Sequence, residues 1–155
     1  MESRRTDDEP DLASEGIEER RPIRVLLAED DHDVRIGLTR LLQFSGYEVR
    51  AVSNGADLLD VLTSWILSDQ VDPPADIIVT DVRMPGFNGL NLVEGLRESG
   101  WKQPIIIISA FGDDLLLERV RRLGQDVEFM PKPFDPALLE RTLVALTERQ
   151  RRRGP

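Results

Sequence analysis

Beyond residue 22 the chain alternates short apolar runs with stretches whose apolar residues recur every three or four positions. The first run, residues 23–28, is followed by helical spacing at Val34, Leu38, Leu41 and Leu42 that stops at Gly46. Residues 47–52 predict a second strand, and residues 54–65 a helix with Asn54 as its N-cap. Asp72-Pro73-Pro74 breaks the chain before a buried-type strand over residues 76–80. A helix is expected from Gly89 to about Ser99, closed by Gly100. Four consecutive isoleucines within residues 104–109 mark a strand covered on both faces. Residues 113–123 predict a helix ending at Gly124, residues 127–130 a short strand, and residues 135–149 a last helix capped by Asp135. Strand and helix thus alternate five times without an internal repeat. The fold expected is α/β: a five-stranded parallel sheet, doubly wound, with helices on both faces in a three-layer sandwich.

The first 21 residues lack this periodicity and read as a disordered charged arm, ahead of a folded domain over residues 22–149 and a basic tail over residues 150–155. Charge divides along the same lines. The arm carries −4 of the formal −9, residues 148–155 carry +3, and residues 22–147 are left with −8. An acidic body repels phosphate backbones, so direct nucleic-acid binding by this domain is not expected. Arg151-Arg152-Arg153 reads as a solvated helix end rather than an anion patch. The absence of Cys excludes disulfides and thiolate chemistry, and one histidine, His32, cannot build a multi-histidine metal site. No apolar run approaches the ~18 residues of a membrane span and no signal-peptide core opens the chain, so a cytoplasmic location is expected.

In an open parallel sheet, ligands gather beyond the carboxyl ends of the strands. The polar residues expected there are Glu29, Asp30 and Asp31 after the first strand, Asp81 after the third, Ser109 after the fourth and Lys132 after the fifth. Two carboxylates ~4 Å apart repel by roughly 4 kcal/mol at an effective dielectric near 20, so a cation must sit among them or their pKa values must rise. An all-oxygen donor set favours a hard cation such as Mg²⁺. A carboxylate, a Mg²⁺ site, a lysine and a hydroxyl are the parts needed to accept and hold a phosphoryl group. Asp31 doubles as the expected N-cap of the first helix. Lys132 is one of only two lysines against eighteen arginines, which makes a lysine there mildly informative.

Leu26-Leu27-Ala28-Glu29-Asp30-Asp31, Ile77-Ile78-Val79-Thr80-Asp81-Val82-Arg83-Met84-Pro85-Gly86, Ile107-Ile108-Ser109-Ala110 and Pro131-Lys132-Pro133-Phe134 together resemble the response-regulator receiver domain of bacterial two-component systems. The resemblance spans residues 23–146 and implies a flavodoxin-like (βα)5 sheet of order 2-1-3-4-5. It implies Asp81 as phosphoacceptor, taking a phosphoryl group from a sensor histidine kinase or phosphotransfer protein. Asp30, Asp81 and the Arg83 carbonyl would hold Mg²⁺, with Glu29 acting through water. Ser109 and Lys132 would contact the phosphoryl group, and Ser109 with Phe129 would form the switch. A cis Lys132–Pro133 bond is a further expectation from the family. Arg83 and Phe111, each two residues past a site residue, are expected to lengthen the lifetime of the phosphorylated state. Residues 65–75 form a longer connection than the family's usual one. Such a domain is a switch rather than an enzyme proper, acting on a downstream protein target and in some cases through a phosphorylation-dependent dimer. Ile36, expected to point away from the core face, and Phe44 on its flank are candidate kinase-docking residues.

Other readings stay open beside this one. Phe129 serves equally as plain core. An aspartate-nucleophile phosphatase would want an acid where Arg83 stands. A nucleotide binder would want a glycine-rich loop where Glu29-Asp30-Asp31 stands. A receiver that binds partners without phosphorylation, and a receiver cut from a longer regulator with an output domain, are the closer alternatives.

Overall fold

The computed structural model describes residues 20–110 and 112–154. Residues 1–19 of the expected arm and the Phe111 position lie outside them. Five strands, β1 (Arg24–Ala28), β2 (Glu48–Val52), β3 (Ile77–Asp81), β6 (Ile105–Ser109) and β7 (Val127–Pro131), pair in parallel in the order β2-β1-β3-β6-β7. Two two-residue strands, β4 (Arg83–Met84) and β5 (Phe87–Asn88), form a separate antiparallel hairpin. Counting only the main sheet, the order is the expected 2-1-3-4-5. The hairpin is not distinct in the sequence, where Met84-Pro85-Gly86 shows only as a turn.

Helices α1 (His32–Phe44), α2 (Gly55–Ile66), α3 (Gly89–Glu98), α4 (Asp114–Arg122) and α5 (Pro136–Arg153) fill the connections. Each begins on an Asp or Asn side chain that accepts backbone N–H groups of the first turn: Asp31, Asn54, Asn88, Asp113 and Asp135. These caps satisfy donors that the helix itself leaves open. Strand alternation then sorts the core into two layers. Ile105 and Ile107 join Leu26, Ile78, Leu58 and Val93 on one face, whereas Ile106 and Ile108 join Leu27, Val79, Leu42 and Leu143 on the other. All four isoleucines are fully buried, as a strand covered on both sides requires.

Most element boundaries fall within a residue or two of expectation, and two places depart from it more. Helix α5 runs four residues past Arg149, so the residues expected as a tail are helical up to Arg153. Nothing breaks the helix before Gly154, and Arg149 and Arg153 both pair with Asp126. Arg21, read as part of the arm, is tied to Asp76 by a two-pronged ion pair at 2.7 and 2.9 Å. Trp65 in the last turn of α2 packs T-shaped against Trp101 beyond α3, ring centres 5.1 Å apart.

Register sets the site. Ala28 lies level with Val52 and Thr80, Asp81 with Ile108, and Ser109 with Pro131. The residues that follow these strand ends therefore meet on one edge.

Candidate functional site

Glu29 directly follows β1, Asp81 is the last residue of β3, Ser109 the last of β6, and Lys132 directly follows β7. Parallel pairing brings all four together although Glu29 and Lys132 are 103 positions apart. The Lys132 ammonium donates to Glu29 Oε2 at 2.7 Å and to Asp81 Oδ2 at 2.8 Å. Asp81 Oδ1 accepts the Arg83 backbone N–H at 3.0 Å, and Glu29 Oε1 accepts that of Asp31 at 3.1 Å. Glu29 is completely buried, Asp81 nearly so, and Asp30 is exposed.

Carboxylate oxygens of Glu29, Asp30 and Asp81 all lie within 4.8 Å of one another. Three acids against one lysine leave this edge short of positive charge. Burial pushes the Glu29 carboxyl up from its ordinary value, only partly opposed by Lys132 and the Asp31 amide. Burial also works against the Lys132 ammonium, but its bonds to Asp81 and Glu29 prevail and raise its pKa. The donor set is all carboxylate oxygen, with one exposed member at the mouth, and so fits a hard divalent ion of the Mg²⁺ kind.

The backbone behind Asp81 is held closely. A Cβ on Gly89, the first residue of α3, would lie 2.5 Å from the Asp81 carbonyl oxygen, so only glycine lets α3 start there. Ser109 is buried, and its carbonyl accepts the Lys132 N–H at 2.8 Å. The Lys132–Pro133 peptide is cis. Phe129 is half-buried against the α2–α4 core layer, its ring beside Gly112, where a Cβ would come within 2.8 Å of the ring. Phe129 is thus core at its base and still close to the turn that leads into α4.

The docking pair expected on α1 is not gathered at this edge. Phe44 is 94% exposed but ends α1, about 18 Å along the helix from its start at 1.5 Å per residue. Ile36 is half-buried, and Val34, expected to face inward, is exposed at 37%. The turn of α1 nearest the site instead opens an apolar groove of about 690 Å³, between Val34, Leu38 and Leu41 on one side and Pro133, Phe134 and Pro136 on the other. Arg35, not among the residues expected at the site, turns its side chain back onto the β1–α1 junction. Its one sequence signal is a lone cation in the otherwise acidic first turns of α1.

A doubly wound sheet carrying three carboxylates and a lysine at its carboxyl edge is the architecture of a receiver. The sequence matches the response regulator receiver domain family over residues 25–144, and the chain belongs to that family. Similar full-length proteins include the response regulator MprA of Mycolicibacterium vanbaalenii, 38% identical over 136 residues, and that of Mycobacterium bovis, 37% identical over 135 residues. Each match covers 86% of this chain and 53% of the relative, so the chain spans about half the length of these relatives. Among solved structures, the chemotaxis protein CheY4 of Vibrio cholerae aligns with a TM-score of 0.67 at 25% identity, covering 81% of this chain and 98% of that one. A CheY-like receiver domain of Methanospirillum hungatei aligns with a TM-score of 0.73 at 19% identity, covering 86% and 99%, and shares the fold.

Proposed function

We propose that this receiver accepts a phosphoryl group on Asp81 from a histidine kinase or phosphotransfer protein, with Mg²⁺, and changes conformation to regulate a partner. The observation that carries this is the Asp81 carboxylate. It is nearly buried, held by the Arg83 amide and the Lys132 ammonium, and set within 4.8 Å of two further carboxylates. In the transfer, an Asp81 oxygen attacks the phosphorus of a phosphohistidine. The P–N bond breaks and its electron pair leaves on the imidazole nitrogen. Asp30 and Asp81, with the Arg83 carbonyl, are the groups that would hold Mg²⁺, and Glu29 would reach it through water. The ion would offset repulsion between the acids and the incoming phosphoryl oxygens. Lys132, already on Asp81, is placed to follow the charge onto the phosphoryl group, and Ser109 to donate a hydroxyl hydrogen bond to it.

A phosphoryl group shifts a conformational equilibrium only through contacts that are better in one state. Ser109 and Phe129 are the pair through which that difference would reach the turn into α4. The apolar groove between α1 and the Pro133–Pro136 turn supports kinase docking there, because it opens directly beside Lys132.

Intact mass after incubation with acetyl phosphate tests the reading. One phosphoryl adduct is expected with Mg²⁺, none with EDTA, and none in Asp81→Asn. Val34→Asp should leave that uptake unchanged while slowing transfer from the phosphorylated kinase. Absence of an adduct under fast quench, or an adduct that survives in Asp81→Asn, would sink the assignment of Asp81.

A further inference from the structure

The β1–α1 junction carries two of the three site acids, and one side chain ties it down. Arg35 Nη1 donates to the Glu29 carbonyl at 2.9 Å and to the Asp30 carbonyl at 3.3 Å, and Nη2 lies 3.2 Å from His32 Nδ1. The side chain is half-buried, and its own helical turn is fixed by the Arg35 N–H on the Asp31 carbonyl at 2.9 Å. Glu29 is thereby gripped at every polar group. Its N–H donates to Val52 at 3.2 Å, its carbonyl accepts from Arg35, and its two carboxylate oxygens accept from Asp31 and Lys132. Among the described residues nothing grips the exposed Asp30 side chain, and the Arg35 guanidinium holds its carbonyl.

We infer that Arg35 is a positioning residue: by bonding the Glu29 and Asp30 carbonyls it fixes the direction in which their carboxylates project and so preorganises the cation site. The inference rests on the Mg²⁺ reading above. Its physical basis is that a small octahedral ion tolerates little misplacement of its oxygen ligands. A planar fork can serve two acceptors at fixed geometry, whereas an ammonium acts as a point charge on a flexible stem. Two roles for Arg35 therefore predict opposite outcomes. As a mere charge it would repel the incoming cation, and removing it would tighten binding. As a positioning group it would help binding, and its removal would weaken it.

The experiment is calorimetric titration of the full chain with MgCl₂, comparing the parent with Arg35→Ala, Arg35→Lys and Asp30→Asn, each checked by thermal melting in EDTA. Both Arg35 variants are expected to bind Mg²⁺ three- to tenfold more weakly than the parent, with lysine unable to rescue although the charge is kept. Amide exchange at Asp31 in EDTA should also speed up in Arg35→Lys, since the junction loses its tether. Binding as tight as the parent's, or tighter, in Arg35→Ala overturns the inference. A lowered melting point with unchanged Mg²⁺ affinity overturns it too, in favour of a purely structural role. Should Arg35→Ala fail to fold, Arg35→Lys decides alone. Asp30→Asn separates the two layers: if it binds Mg²⁺ like the parent, or the parent binds none, the cation site itself is wrong and the positioning role falls with it.

Discussion

Two aspartates bracket β3, five residues apart, and their surroundings are opposite. Asp76, just before the strand, accepts from the guanidinium of Arg21 and from the backbone and side chain of Arg24. Burial pushes its carboxyl up, but those bonds outweigh it and hold the pKa down at about 2. Asp81, at the other end, shares its single lysine with Glu29 and faces two further acids. One end of the sheet is electrostatically closed and the other is short of positive charge. A closed ion network is a structural device, and a site deficient in one sign is built for something that arrives from solution.

The largest effect on stability should come from removing the ammonium that pairs with the two buried acids at the open end. Lys132→Met leaves Glu29 and Asp81 buried without their counter-charge, and about 3 kcal/mol of unfolding free energy is expected to disappear at pH 7. Glu29 already titrates above its unfolded value. The folded state therefore binds more protons than the unfolded one above pH 4.5, and the deficit should shrink as pH falls from 7 toward 5. Urea unfolding at both pH values reads this. An equal loss at both would mean that Lys132 acts through packing.

At the closed end the sign reverses. Asp76 contributes stability that is fully present above about pH 4 and is lost as pH falls toward about 2. Asp76→Asn should cost about 1–2 kcal/mol at pH 7, discounted because Arg21 is largely exposed. The variant and the parent should converge near pH 2. A gap that persists there would assign the cost to the Arg24 backbone bond rather than to charge.

How far the sequence carries one into this contrast depends on the kind of signal. The strands and helices were legible because each has its own period and cap: Asn54 and Asp135 announce helices, and four isoleucines announce a central strand. The open end was legible because its residues sit in strand-end motifs that a parallel sheet must bring together. The closed end was not. Arg21 and Asp76 are 55 positions apart, one in the arm without period and the other at the start of an apolar strand, and only the folded register pairs them. Arg35 escaped for a similar reason, since a guanidinium on backbone carbonyls leaves no pattern in side-chain spacing. The docking pair rests on the face of α1 expected to lie off the core, and the structure places Phe44 at the far end of that helix from the site.

The finest test of the contrast is a stabilising substitution. Asp30 is exposed, so most of its repulsion with Glu29 and Asp81 is screened, and the ~4 kcal/mol of a close pair at moderate dielectric shrinks to about 1 kcal/mol or less. Asp30→Asn should therefore raise the melting temperature in EDTA by about 2–4 °C. Sodium chloride at 0.5 M should erase much of that gain by shielding the parent's acids. Mg²⁺ should invert the ranking, because the parent gains binding energy that the variant has lost. Removing a carboxylate then stabilises one end of the sheet and destabilises the other. If Asp30→Asn instead melts lower in EDTA, Asp30 is held by the fold as Asp76 is, and the open end is less open than its charges imply.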